Sequence, residues 1–238
     1  MQFVHCVFSV FIIKYFCPPY TFIRKELSDT PMRNITKKDA LSLETKKVLK
    51  AALIELYAVH PISKISINQL CAKAGVSRGS FYYHYANIYE LLETVENDIV
   101  NDINICVRRN SLLESIMSRS NGTEPGNSVA EYVCLLDYLE QNRRAVSILY
   151  LGSDSSFFRD KLIQMTLYNL RTAFSFFPPE DNIWREYIAV YMASGTVATY
   201  MKWLIDGMRE PKELIAEVIM DAASKMFSPP AVRRIPPT

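Results

Sequence analysis

Glycine is scarce, with seven among 238 residues, and most of the twelve prolines lie toward the two ends of the chain. So few breakers through the middle favours compact helical structure over disorder. No run alternates apolar and polar residues for long, which leaves little room for half-buried strands. The three histidines, His5, His60 and His84, stand apart from one another and from any nucleophile or metal set, and there is no glycine-rich phosphate loop. These absences put enzyme chemistry well behind other readings, so no catalytic residue, metal site or cofactor is assigned. The five cysteines (Cys6, Cys17, Cys71, Cys106, Cys134) are odd in number and lack CxxC spacing. They argue for reduced thiols in a cytoplasmic protein rather than a disulfide frame or a zinc site. Cys71 and Cys134, set among apolar neighbours, read as core. The apolar run from Phe3 to Ile13 is too short to span a membrane and lacks a secretory leader's basic start and cleavage site. Met32 reads as the natural start, with residues 1–31 an upstream extension; a membrane anchor is the alternative.

Charge is nearly balanced overall at +2, but its distribution is not even. Residues 33–86 carry nine Lys/Arg against three acids, whereas residues 87–238 carry fifteen against twenty. A basic first segment joined to an acidic remainder suggests that one end meets a polyanion; a solvated charged face is the alternative.

The periodicity is helical throughout. Leu49, Ala52, Leu53, Leu56 and Tyr57 form one helix face, which Pro61 closes. Ile67, Leu70, Cys71 and Ala74 repeat the spacing over a shorter span, with Ser66 and Gln69 placed as a capping box and Gly75 as the stop. Ser77 suits the cap of a third short helix reaching about Tyr85, and Asn87 that of a fourth with Ile88, Leu91, Leu92 and Val95 inward. Residues 118–128, SRSNGTEPGNS, read as loop, and further helices are expected near 129–142, 144–151, 156–177, 182–206 and 211–227. The expected architecture is all-α. It comprises an extension or arm (1–40), a three-helix helix-turn-helix domain (41–95), a larger helical domain (96–228) and an irregular tail (229–238).

Two short helices around a glycine turn, 66–74 and 77–85, have the size of a helix-turn-helix, whose second helix enters the major groove. Ser77, Gly79 and Ser80 are small enough to let the backbone approach DNA. Arg78 can bond guanine O6 and N7 or pair with a phosphate. Phe81 and Tyr85, four apart, should pack inward on Leu70 and Leu53. Tyr82, Tyr83 and His84 are left for thymine methyls and phosphates, unless the two tyrosines merely cap the core.

The stretch AGVSRGSFYYHYANIYELL, with SINQLCAKAGVS leading into it and LYAVH closing the first helix, resembles the helix-turn-helix of the TetR/AcrR family of bacterial transcriptional regulators. The resemblance runs from about Thr45 to Val95. It implies that Ser66, Ser77, Arg78, Gly79, Ser80, Tyr82, Tyr83 and His84 face double-stranded DNA. The family commonly grips a phosphate with a lysine at the start of the fourth helix, where this chain has Ile88; backbone amides around Asn87 are the expected substitute. Residues 191–219 are also similar to the C-terminal domain of a TetR subgroup that includes a co-activator of dihydroxyacetone kinase genes.

Along helix 182–206, Ala189, Ala193, Thr196, Tyr200 and Trp203 lie on one face beside Ser194 and Gly195. With helix 211–227 they are expected to form half of a four-helix homodimer interface, a buried intramolecular stripe being the alternative. A dimer would require a near-palindromic operator with half-sites roughly 34 Å apart or a small multiple. Tyr132, Tyr138, Met165, Tyr168 and Trp184 are candidates to line an effector pocket, with plain core as the alternative. The expected function is a DNA-binding regulator, a repressor released by a small effector. The second reading is a co-activator controlled by a protein partner.

Overall fold

A computed structural model describes residues 37–109, 128–152, 156–174 and 182–227. The chain divides into two compact units, Met1–Glu44 and Thr45–Thr238. The described part of the first, residues 37–44, is helical and forms the opening turns of α1 (Lys37–Tyr57). The expected arm is therefore helical from Lys37 onward. Its polar composition masks a run of good helix formers (Lys, Ala, Leu, Glu) free of glycine and proline. The first helix is 21 residues long. The extension at residues 1–31 and the tail at 229–238 lie outside the described residues, as does the loop expected at 118–128 except for Ser128, which opens a helix.

After α1 a single 3-10 turn, Ile62–Lys64, leads into α2 (Ile67–Ala74), α3 (Arg78–His84) and α4 (Ile88–Arg109). The rest is α5 (Ser128–Gln141), α6 (Arg143–Leu151), α7 (Ser156–Phe174), α8 (Asn182–Ile205) and α9 (Lys212–Phe227). The fold is all-α, a three-helix head followed by a larger helical part, and no strand occurs among the described residues. No described helix is long and apolar enough to cross a membrane.

Leu49, Leu53, Leu70, Phe81 and Leu91 are fully buried and belong to one continuous core that runs on into the later helices. The expected boundary at 95/96 falls inside α4, whose 22 residues span about 33 Å. Its inner face, Ile88, Leu91, Leu92, Val95, Ile99 and Ile103, is buried over nearly its whole length. Its polar residues reach both ways. Asp98 pairs with Lys50 of α1, while Glu96 accepts from Lys161 of α7 at 2.8 Å and Asp102 from the Tyr138 hydroxyl of α5 at 3.1 Å. Behind it, α7 packs on α8 and α9 on α5. Lys212, at the start of α9, pairs with Asp137 of α5. Gly207 at φ 95 and Met208 at φ 55 turn the chain between α8 and α9, a left-handed pair closed by Met208 N–H donating to the Trp203 carbonyl at 2.9 Å.

A second close approach ties α1 to α6. A Cβ added to Gly152 would sit 2.7 Å from Cζ of Tyr57, whose ring is buried and has little room to yield. Gly152→Ala is expected to cost about 1–3 kcal/mol through this overpacking, read as a lowered midpoint in urea unfolding.

Of the cysteines expected to be core, Cys71 is buried but Cys134 is exposed. Tyr132, Leu135, Leu136 and Leu139 take the inner face of α5, and position 134 falls on the other. Apolar sequence neighbours two helical steps away say little about which face a residue occupies.

Candidate nucleic-acid interface

The turn between α2 and α3 is built from local hydrogen bonds that the residue types dictate. Ser66 caps α2: its Oγ accepts from Gln69 N–H at 3.2 Å while its own N–H donates to Gln69 Oε1 at 2.9 Å. Two capping donors of the helix start are thus satisfied reciprocally. Gly75 ends α2 at φ 68, where its N–H reaches the Ala72 carbonyl and Val76 N–H reaches that of Cys71 at 3.0 Å. A side chain is disfavoured there by the left-handed backbone, not by space, since nothing lies within 4 Å of an added Cβ. Two residues later Ser77 caps α3, its Oγ accepting from Ser80 N–H at 3.0 Å.

These caps fix which way α3 faces. Phe81 and Tyr85 are buried in the shared core with Leu53 and Leu70, their rings 6.0 Å apart. Tyr82 and Tyr83 turn outward and are 50% and 70% exposed. Ser66, Ser77, Arg78 and Gly79 are exposed as well, while Ser80 and His84 are half-buried. Arg78 makes no ion pair among the described residues, so its guanidinium is available. By contrast, Lys50 is committed to Asp98 and Lys73 to Glu55 at 2.6 Å. The Tyr83 and His84 rings meet edge-on at 4.9 Å. Partial burial first, then the charge of nearby Lys46, hold the His84 pKa below its ordinary value. Both effects favour the neutral imidazole. Lys46 is a residue that motif reasoning passed over: it was counted among the basic charges, but only the fold brings it from α1 to this side of α3.

At the start of α4, Asn87 caps the helix and Ile88 turns inward, as its spacing predicts. Ile88 is 7% exposed and belongs to the core, so it offers nothing to a phosphate. The amides expected to compensate are largely occupied. Asn87 Oδ1 accepts from Tyr89 N–H at 2.9 Å and Glu90 N–H at 3.0 Å, and the Glu90 carboxylate accepts from Ala86 N–H at 2.6 Å. A carboxylate already seated at this helix start disfavours a phosphate there. Tyr89, which is exposed, is the side chain on hand instead.

The stripe expected at a homodimer interface lies inside the single chain. Ala189, Ala193, Tyr200 and Trp203 are buried within the chain itself, and Thr196 is half-buried against a cavity. The Trp203 indole N–H is spent on the Glu210 carbonyl at 2.9 Å. Small residues let the chain's own helices, rather than a second copy, pack close along this face. The opposite face of α8 carries Tyr187 and Tyr191, 73% and 64% exposed, with Ile183 and Val190 exposed beside them. Of the residues expected around an effector pocket, Tyr132 and Met165 line a cavity of about 60 Å³ between α4, α5, α7, α8 and α9. The other three do not: Tyr138 is bonded to Asp102, Tyr168 lies on the surface against Arg108, and Trp184 is exposed.

Residues 48–95 match the family model for bacterial regulatory proteins of the tetR family, and residues 130–225 match the model for the transcriptional regulator C-terminal region of the same family. Solved structures agree on the fold. A TetR transcriptional regulator from Streptococcus agalactiae is 21% identical, with a TM-score of 0.55 over 78% of this chain and 97% of that one. NalD, the secondary repressor of the MexAB-OprM efflux pump in Pseudomonas aeruginosa, is 18% identical, with a TM-score of 0.55 over 78% and 97%. The dihydroxyacetone kinase operon activator DhaS is 20% identical, with a TM-score of 0.50 over 75% and 93%. A helix-turn-helix with an outward-facing recognition helix, matched together with the C-terminal region that accompanies it, places this chain in the TetR family of DNA-binding transcriptional regulators.

Proposed function

We propose that the chain is a sequence-specific repressor that binds a near-palindromic operator as a homodimer and is released by a small effector. The observation that carries the reading is the division of α3: Phe81 and Tyr85 are buried while Arg78, Tyr82 and Tyr83 stand exposed on a helix fixed by its caps. In this reading residues 41–95 read DNA and residues 96–228 dimerise and respond to the effector. Arg78 contacts a base or a phosphate, and Ser77, Gly79 and Ser80 let the backbone approach. Tyr82, Tyr83, His84 and Ser66 contact thymine methyls and phosphates. Dimerisation uses the exposed face of α8 around Tyr187 and Tyr191. No net enzymatic chemistry is required, and a cytoplasmic location follows from the target.

In-vitro selection from a random DNA pool, with protein beginning at Met32, tests the reading. Enrichment of a near-palindrome is expected. Tyr82→Ala should enrich nothing yet melt like the parent, since its ring is half exposed. Arg78→Ala should relax preference at one base position at a cost of about 1–3 kcal/mol. A folded dimer that selects no DNA would favour the second reading, a co-activator whose C-terminal part answers to a protein. DhaS, an operon activator by name, shares this fold.

A further inference from the structure

The cavity between α4 and the C-terminal helices has mostly apolar walls (Ile103, Met165, Met192 and Ile219 among them), and no charged side chain lines it. Tyr132 and Tyr200 also line it. Both are almost wholly buried, and both hydroxyls lack any hydrogen-bond partner among the described residues. A buried hydroxyl without a partner forfeits the bonds it had in water, so it is rare and calls for an explanation. Two of them beside one cavity share a natural explanation: the partner is not part of the chain.

We propose that this cavity binds a small, uncharged, largely apolar molecule carrying an oxygen acceptor, which the Tyr132 and Tyr200 hydroxyls hold by donated hydrogen bonds. The inference rests on the regulator reading for its purpose, as the effector site, but its chemistry comes from the walls alone. Burial pushes both phenols well above their ordinary pKa, so they stay protonated donors and present no anion to a cationic ligand. With no cation in the wall, a carboxylate would be buried unpaired and is excluded on the same ground. At about 60 Å³ the cavity exceeds what one water requires (roughly 10–15 Å³) and falls short of the roughly 150 Å³ that holds benzene. By the same benchmark that room suits roughly two or three non-hydrogen atoms, as in ethanol or acetaldehyde. Asn169, also in the wall, donates to Asn104 of α4 at 3.0 Å, so an occupant would lie beside a bond to the helix that carries the reading head.

The test uses the whole chain with ¹³C-methyl methionine, because Met165 and Met192 line the cavity. Titration with ethanol is expected to shift those two methyl signals saturably, whereas formate and methylammonium should leave them in place. Xenon, which needs only an apolar void, should shift them too. Tyr132→Phe and Tyr200→Phe should each weaken ethanol about 3–10-fold while leaving xenon binding and the melting temperature equal or higher. Ala223→Leu, which fills the cavity, should abolish both. Equal binding of a charged probe, or unchanged ethanol affinity in both phenylalanine variants, would overturn the assignment. So would a protein that takes up xenon but not ethanol. Operator binding is measured in parallel: selective DNA binding without ethanol binding defeats this site alone, and ethanol binding by a protein that selects no DNA sustains the site and defeats the repressor reading.

Discussion

Phe81→Ala is expected to lower the free energy of unfolding by about 3–5 kcal/mol and to abolish operator binding with it. Phe81 is fully buried at the centre of the seven-residue α3, in the same core as Leu49, Leu53 and Leu70. A helix of that length has no stability of its own, so its orientation depends on the rings it buries and on its caps. Removing the most deeply buried of those rings leaves a void that α2 and α3 cannot close, because both are held by short turns at Gly75 and Ala86. Urea unfolding followed by circular dichroism reads the loss, and the contrast with Tyr82→Ala gives it meaning. Tyr82 packs edge-on against Phe81 at 5.4 Å but is half exposed. Its truncation should leave the unfolding midpoint within the range of ordinary surface changes, about 0.5 kcal/mol, while DNA binding falls. If Tyr82→Ala destabilised the protein as much as Phe81→Ala, the tyrosine would be a core residue and its assignment to DNA would fail.

Tyr187→Glu combined with Tyr191→Glu is expected to convert a dimer into a monomer and to weaken operator binding at least 100-fold. The two rings are the most exposed aromatics on α8 and lie one helical turn apart, so a second copy meeting this face would bury both. A glutamate pair there places two carboxylates against their symmetry mates in an interface with two-fold symmetry, which the association cannot tolerate. The DNA effect follows from effective concentration: two reading heads on one body gain roughly 10²–10⁴ over one. Analytical ultracentrifugation reports the first outcome and titration of the selected operator the second. The pair is exposed in the single chain, so the monomer should still melt cooperatively. A double variant that remains dimeric would move the interface elsewhere. The buried set Ala189, Ala193, Tyr200 and Trp203 cannot serve as the fallback without unpacking α8 from its own neighbours.

What the sequence determined by itself is what depends on neighbours three or four residues away. Ser66 with Gln69, Val76 with Cys71, Ser77 with Ser80 and Asn87 with Glu90 each close a hydrogen bond over about one helical turn, so residue type and spacing suffice to place both ends of α2 and the starts of α3 and α4. The inward pair Phe81 and Tyr85 and the outward pair Tyr82 and Tyr83 were legible for the same reason, because residues four apart share a helix face and the two that follow the first do not. Tertiary structure alone decided which face of α8 is inside. That helix carries apolar residues nearly all round, Ala189, Ala193 and Tyr200 on one side and Ile183, Tyr187 and Tyr191 on the other. Periodicity cannot choose between two apolar faces; the packing of α7 and α9 does. The same holds for the cavity, where Tyr132 of α5 and Tyr200 of α8, 68 residues apart in the chain, become two walls of one space.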